Sequence, residues 1–134
     1  MQNETSFDTY HRIKEDGTLS HTQLIVYEYL LHHPLSTDRD IEKGTGLKIN
    51  QVTGRRCDLK DMGIVESCGT IYAENENGNR YPQTRWKIKD SIKAQDIRYK
   101  ADRWRRSKAR EKAKAIQAEH KAISQPLLTR WVTT

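Results

Sequence analysis

The chain has few of the residues that mark secreted or membrane proteins. Its two cysteines among 134 residues are too few for a disulfide framework, and we expect both thiols to be reduced. A membrane span needs about 20 apolar residues, but Glu28 interrupts the longest apolar run, residues 24–31. The polar residues 1–17 lack the apolar core of a signal peptide. We therefore predict a cytoplasmic protein that does not bind a membrane.

Motifs for catalysis and for metal binding are missing as well. The sequence contains no glycine-rich phosphate loop and no nucleophile–base signature. His32, His33, Cys57 and Cys68 do not have zinc-finger spacing. The acidic cluster in residues 38–42 is explained by the positive end of a helix that begins there. We predict no enzymatic activity, no catalytic residue, no metal ion and no cofactor.

Charge is distributed unevenly along the chain. The formal net charge is +6, yet residues 1–90 hold 12 basic and 14 acidic side chains, whereas residues 91–134 hold 12 basic and four acidic ones. A concentrated basic segment attracts polyanions, of which nucleic acid is the commonest. A solvated helix face without a specific partner is the alternative. Hydrophobic residues make up only 34% of the chain, so we expect part of it to lie outside a packed core.

The first third of the chain predicts an arm followed by a helix. Residues 1–20 are polar, and we expect a flexible N-terminal arm there. Residues 21–33 have apolar positions on one helical face and a cap at Ser20 or Thr22. Pro34 ends this helix because it has no N–H and disfavours helical geometry in the preceding residue.

Two more helices follow at short intervals. Residues 36–44 form a short helix that Ser36 or Thr37 caps. Residues 48–62 form the third helix, with Asn50 as its predicted cap. Its inward stripe consists of Val52, Leu59 and Met62.

The pattern then changes to strands and back to helix. Residues 64–67 and 70–74 read as two short strands, and residues 84–89 as a half-buried strand that closes a hairpin. The pair Asn77-Gly78 is a strong turn signal between them. Residues 91–134 form a basic C-terminal helix or tail, with helix expected over residues 91–123 because no glycine or proline occurs there.

The order helix, helix, tight turn, helix and hairpin over residues 21–90 is the plan of a winged helix. The run GLKINQVTGRRCDLKDMGIVE resembles the winged helix-turn-helix family of bacterial and phage regulators. Its residues fill that family's typical places without a gap at Gly46, Leu47, Val52, Arg55, Leu59, Gly63, Ile64 and Val65. The resemblance implies an α+β fold, with a three-helix core, a β-hairpin wing and, in this chain, a long basic C-terminal helix. It also implies a DNA-binding transcription regulator.

The third helix, residues 48–62, is then the recognition helix that enters the major groove of double-stranded DNA. We predict base contacts from Asn50, Gln51 and Arg55, because amides pair with adenine and guanidinium groups with guanine. Phosphate contacts are predicted for Lys48, Thr53, Arg56 and Lys60. Gly54 departs from the pattern, and its two explanations are close approach to a DNA backbone and close packing against the preceding helix.

Basic residues in the wing and tail extend this predicted interface. Arg80 at the wing tip, with Arg85 behind it, is expected at the minor groove or the adjacent backbone, although an ordinary polar hairpin is the alternative. In the tail we predict backbone contacts from Arg103, Arg105 and Arg106. A heptad-like seam could instead pair two copies into a homodimer, through Ala109, Ala113, Ile116, His120, Ile123 and Leu127.

A second function of another class stays open. Winged helices also bind proteins, and the slightly acidic balance of residues 1–90 suits a protein-interaction module that binds a host or replication protein. The sequence therefore predicts a DNA-binding regulator first and a protein-binding module second.

Overall fold

The structure is a computed structural model that describes residues 4–132, with side chains up to residue 122. Five helices and two strands follow one another in it: α1 Ser6–Asp16, α2 His21–His32, α3 Asp38–Thr45, α4 Ile49–Met62, β1 Val65–Glu74, β2 Arg80–Ile88 and α5 Ala94–Val132. The chain divides into two units, residues 1–101 and residues 102–134.

Helix α1 corrects the flexible arm predicted for residues 1–20. Its start is held by a capping box, in which the Thr5 hydroxyl and the Asp8 carboxylate each accept from the other residue's N–H. Ile13 is fully buried, and the ring of Tyr10 lies 6.4 Å from the ring of Tyr27. A few apolar side chains in a polar segment are thus enough to pack it against α2.

Helices α2 and α3 begin at two of the predicted caps. Ser20 pairs with Gln23, and Thr37 pairs with Asp40, each in a complete capping box. Ser20 and Thr37 are therefore the residues that satisfy the free N–H groups at these two helix starts.

Helix α4 begins two residues earlier than a cap at Asn50 requires, so that prediction is wrong. Lys48 is the cap residue, and its N–H donates to Oε1 of Gln51 at 3.3 Å. Asn50 lies inside the first turn with its side chain exposed. This difference matters because it leaves the Asn50 amide available to a partner.

The core of the first unit lies between helices α1 to α4, the start of the sheet and the first turns of α5. Val52, Leu59 and Met62 are buried, as the inward stripe predicts. Burying each such side chain contributes about 1.5–3 kcal/mol. Further side chains with no more than 1% exposure complete this core: Ile13, Val26, Tyr27, Leu30, Ile41, Ile64 and Ile97.

Strands β1 and β2 form one antiparallel hairpin. The predicted gap between two short strands is a bulge inside β1, where the register shifts between Ser67 and Thr70. Gly69 has φ of 83° there, which glycine adopts without a steric penalty. At the tip, the Asn75 side chain accepts from the N–H groups of Asn77 and Asn79.

The wing is tied to the loop before α3 through a single bridge. The Trp86 N–H donates to the Ser36 carbonyl at 2.8 Å, and the Leu35 N–H donates to the Trp86 carbonyl at 2.9 Å. Trp86 itself is 6% exposed. The bridge therefore fixes strand β2 against the helix-turn-helix at the residue that anchors the wing's inner face.

The order of α2, α3, α4 and the hairpin is that of a winged helix, and the predicted α+β fold with a long C-terminal helix is confirmed. The first turns of α5 belong to the first unit, where they bury Ala94, Ile97 and Ala101. Within the described residues, no helix is long and apolar enough to cross a membrane.

Candidate nucleic-acid interface

Helix α4 has one face in the core and one face in solvent. Val52 and Leu59 are fully buried. With about 100° of rotation per residue, the positions directly opposite them are Asn50, Gly54, Cys57 and Asp61. Asn50 and Asp61 are exposed. The outward face is thus polar and uncharged in its N-terminal half and acidic near its C-terminal end, so only the N-terminal half suits an anionic partner.

The start of α4 holds three exposed residues among the predicted contacts. Lys48, Asn50 and Gln51 are all exposed. Asn50 and Lys48 make no side-chain interaction with the described residues, and Gln51 uses only its Oε1 atom, for the Lys48 N–H. The Asn50 amide, the Nε2 group of Gln51 and the Lys48 ammonium group therefore remain free for a ligand at one end of the helix.

Arg55 lies on the flank of α4 that faces α2. Its Nε atom is 2.9 Å from Oδ2 of Asp58, and the Gln23 amide donates to the same oxygen at 3.2 Å. The Arg55 side chain is 41% exposed, whereas that of Asp58 is 18% exposed. A base contact from Arg55 therefore has to compete with this ion pair.

Arg56 is occupied inside the protein. Its Nε and Nη2 atoms donate to the two carboxylate oxygens of Asp38 at 3.0 and 2.8 Å, and its Cζ atom lies 4.1 Å from the centre of the Trp86 ring. Its side chain is only 11% exposed. Burial alone lowers the pKa of Arg56, but the hydrogen bonds and charge of Asp38 outweigh it and raise the pKa.

Two residues with a predicted phosphate role, Arg56 and Thr53, are thus engaged inside the protein. The Thr53 hydroxyl donates to Oδ2 of Asp38 at 3.1 Å, so both residues serve the same carboxylate. Bidentate pairs between arginine and a carboxylate are strong and fix geometry. The Asp38–Arg56–Trp86 cluster thereby joins the start of α3, the middle of α4 and strand β2.

A cleft of about 260 Å³ opens beside this cluster, between α4 and the wing. Ile49 and Thr53 line it from α4, and Tyr81, Pro82 and Gln83 line it from β2. The cluster forms its floor through Arg56 and Trp86. Because the cluster joins α4 to strand β2, it positions both sides of the candidate interface.

The two predicted contacts in the wing differ in accessibility. Arg80 is exposed, and its Cζ atom lies 5.6 Å from the centre of the exposed Tyr72 ring. Arg85 is half-buried, and its Nε atom has no hydrogen-bond partner among the described residues. The sequence does not single out Tyr72 as a site residue, although the alternation along β1 puts its side chain on the outward face of the strand.

Lys60 lies between the helix and the wing. It is exposed, and its Nζ atom is 5.9 Å from the centre of the Trp86 ring. Unlike Arg56 on the same flank, it has no ion pair with the described residues. Its ammonium group is therefore accessible beside the Asp38–Arg56–Trp86 cluster.

In the second unit, the predicted tail contacts lie on different faces of α5. Arg103 and Arg106 are three residues apart and share a face, whereas Arg105 points elsewhere and its Nη1 atom is 3.6 Å from Oδ1 of Asp102. All three are exposed. The structure thus brings Arg103 and Arg106 together and separates Arg105 from them.

The predicted dimer seam is partly described. Its first four members, Ala109, Ala113, Ile116 and His120, are exposed, with Ile116 46% exposed. Ile123 and Leu127 lie outside the described side chains.

In the part of the chain with described side chains, no group of three or more metal-binding side chains is close enough to hold an ion.

Comparisons with known proteins return solved structures. No protein-family model matches the chain, and no curated protein sequence matches it. A possible transcriptional regulator from Methanosarcina mazei Go1 is 15% identical, with 81% of this chain and 86% of that one covered and a TM-score of 0.45. A MarR-family transcription regulator is 16% identical, with 92% of this chain and 78% of that one covered and a TM-score of 0.47.

Proposed function

We propose that the protein is a sequence-specific binder of double-stranded DNA that regulates transcription, of the phage or bacterial type. The observation that carries this proposal is the free N-terminal turn of α4, where Lys48, Asn50 and Gln51 are exposed. In a helix-turn-helix, this part of the recognition helix reaches the base edges in the major groove. Such a protein works in the cytoplasm, by occupying a promoter.

The free groups are of two kinds, those that suit contacts with bases and those that suit contacts with phosphates. Asn50 and Gln51 suit adenine, because an amide offers one donor and one acceptor to its N7 and N6 atoms. Arg55 suits guanine once it leaves Asp58. Lys48, Lys60 and Arg80 are placed for phosphates, which orient the protein without reading sequence. Arg56 and Thr53 act indirectly, by holding the wing beside the helix.

The test compares Asn50→Ala with Lys48→Gln on a duplex selected by the wild-type protein and on a scrambled duplex. Losing a base contact costs about 1–3 kcal/mol, so Asn50→Ala should weaken binding to the selected duplex about 5- to 150-fold. Its affinity for the scrambled duplex should stay unchanged. Lys48→Gln should weaken both duplexes alike and reduce the salt dependence by about one phosphate contact.

Two results in this experiment would count against the proposal. One is an Asn50→Ala variant that keeps the wild-type ratio between the selected and the scrambled duplex. The other is a Lys48→Gln variant that changes only the selected duplex, because a phosphate contact cannot distinguish sequences.

A second candidate is a winged-helix module that binds a protein. Residues 1–101 hold 15 basic and 15 acidic side chains, so the unit that contains α4 has no net charge. A neutral unit attracts DNA weakly over distance. If the full chain binds no duplex even at low salt, this second function replaces the first.

A homodimer is an alternative use of the C-terminal helix, favoured only by its exposed seam. Exposed Ile116 and its alanine neighbours could pair two copies, which would then bind two half-sites about one helical turn apart. Sedimentation of the full chain decides between a monomer and a dimer.

A further inference from the structure

We infer that the part of α5 in the second unit binds the phosphate backbone of duplex DNA independently of sequence, through one basic face of the helix. We call this face the tail stripe. The inference takes its partner from the proposed function but stands on different residues. The tail stripe consists of Arg103, Arg106, Arg110, Lys114 and Lys121.

The tail stripe is a product of helical spacing. Its members follow one another at intervals of three, four, four and seven residues, which confines them to an arc of about 80° on the helix surface. All five are exposed. From Arg103 to Lys121 the stripe runs about 27 Å along the helix. It therefore forms a continuous cationic edge.

Ion pairing distinguishes the tail stripe from Arg105 and Lys108 of the same segment. No member of the stripe forms an ion pair with the described residues. On the opposite side, Arg105 is 3.6 Å from Asp102 and Lys108 is 3.6 Å from Glu111. The acidic side chains of this part of the helix thus neutralise the opposite side and leave the stripe uncompensated.

Charge favours a long polyanion as the partner. Residues 102–134 hold nine basic and three acidic side chains, so this segment supplies the whole net charge of the chain. Duplex DNA carries one phosphate about every 3.4 Å along each strand. An edge of about 27 Å can therefore approach several phosphates at once, and each contact releases counterions.

The remaining surface of the helix disfavours a membrane or a second copy. Between residues 105 and 122, Ile116 is the one large apolar side chain of the described segment, and its apolar neighbours are alanines. A membrane-surface helix needs a broad apolar face, and a coiled coil needs large a and d residues. Pairing two copies would also bring like charges together.

The experiment uses two full-length triple variants that remove the same charge from opposite sides of one helix. The stripe variant is Arg103→Gln, Arg106→Gln and Arg110→Gln. The matched control is Arg105→Gln, Lys108→Gln and Lys112→Gln. Glutamine is a good helix former, so α5 should persist in both, and circular dichroism checks this. Affinity for a duplex of arbitrary sequence is measured between 50 and 200 mM salt.

The stripe variant should lose three phosphate contacts. The slope of log affinity against log salt should then become smaller by about 2.7, so its loss of affinity over this salt range should be about 40-fold smaller than that of the wild type. The control should keep the wild-type slope to within about one contact. The ratio of the affinities for a selected and a scrambled duplex should be unchanged in both variants.

Equal slopes in the two triple variants would overturn the inference, because net charge alone would then explain the binding. A wild-type slope in the stripe variant would overturn it as well. So would sedimentation that shows a dimer in the wild type and a monomer in the stripe variant, or tighter binding to phosphatidylserine vesicles than to DNA. Failure of the proposed function would be seen in a different experiment, in which Asn50→Ala keeps the wild-type ratio of affinities for the selected and the scrambled duplex.

Discussion

At the scale of single residues, two glycines lie inside helices of the helix-turn-helix: Gly44 in α3 and Gly54 in α4. A Cβ atom added at Gly44 would overlap the ring of Tyr29, so this glycine lets α3 pack on α2. A Cβ atom at Gly54 would meet nothing within 4 Å. Of the two explanations for Gly54, close packing against the preceding helix is therefore wrong. Close approach to a DNA backbone stays a prediction.

Gly54→Ala should therefore stabilise the protein and weaken its binding to DNA. The free energy of unfolding should rise by about 1 kcal/mol, because alanine is the better helix former and meets no neighbour. Affinity for a selected duplex should fall, because the added methyl group lies on the outward face. Urea unfolding and equilibrium binding measure the two effects. Gly44→Ala is the control and should lower stability, and wild-type affinity in Gly54→Ala would remove the DNA explanation.

Asp38 accepts hydrogen bonds from both Thr53 and Arg56, and its removal should be costly. Asp38→Ala should lower the free energy of unfolding by about 2–3 kcal/mol, because it leaves the guanidinium of Arg56 against Trp86 without its charge partner. The matched control is Glu42→Ala, which breaks the more exposed Arg39–Glu42 pair and should cost less than about 1 kcal/mol. Equal losses in urea unfolding would contradict the role of the cluster.

At the scale of elements, α1 behaves as part of the core. Ile13→Ala should lower the free energy of unfolding by about 2–5 kcal/mol, because Ile13 is fully buried. Phe7 on the same helix is 56% exposed, and Phe7→Ala should have a much smaller effect. Urea unfolding of both variants tests this. A flexible arm would instead make both substitutions neutral.

The elements differ in how well the sequence predicts them. Helices α2 and α3 were predictable because polar caps such as Thr37 stand before periodic apolar residues, and α4 because of its inward stripe. The fold follows from that order. Helix α1 was missed because its few buried side chains are scattered in a polar segment. The bulge at Gly69 appears in the sequence only as a break between two strands.

Only the accessible part of the candidate site could be predicted from the sequence. Local spacing identifies Asn50 and Gln51 as polar residues at the start of the recognition helix. It cannot show that Arg56 contacts Asp38 and Trp86, which are 18 and 30 positions away in the sequence. Nor does composition reveal which tail cations are paired, because that depends on helical rotation. Contacts between distant residues therefore decide which basic side chains remain available.

At the scale of the whole molecule, the helix that we propose to read the DNA sequence and the net charge lie in different units. The unit with α4 and the wing has no net charge, and the unit from residue 102 onward supplies all of it. We expect the first to determine which duplex is bound and the second to determine how strongly salt weakens the binding. The two triple variants and Asn50→Ala separate these contributions, because each changes only one of them.

The most direct measurement for the central claim is selection of duplexes from a random pool, carried out in parallel with the wild-type protein and with Asn50→Ala. We predict that the wild type enriches one short motif and that Asn50→Ala loses the adenine preference at one position of it, with the other positions retained. An absence of any enriched motif for the wild type, or an identical motif for the variant, would contradict the assignment of α4 as the helix that reads the sequence.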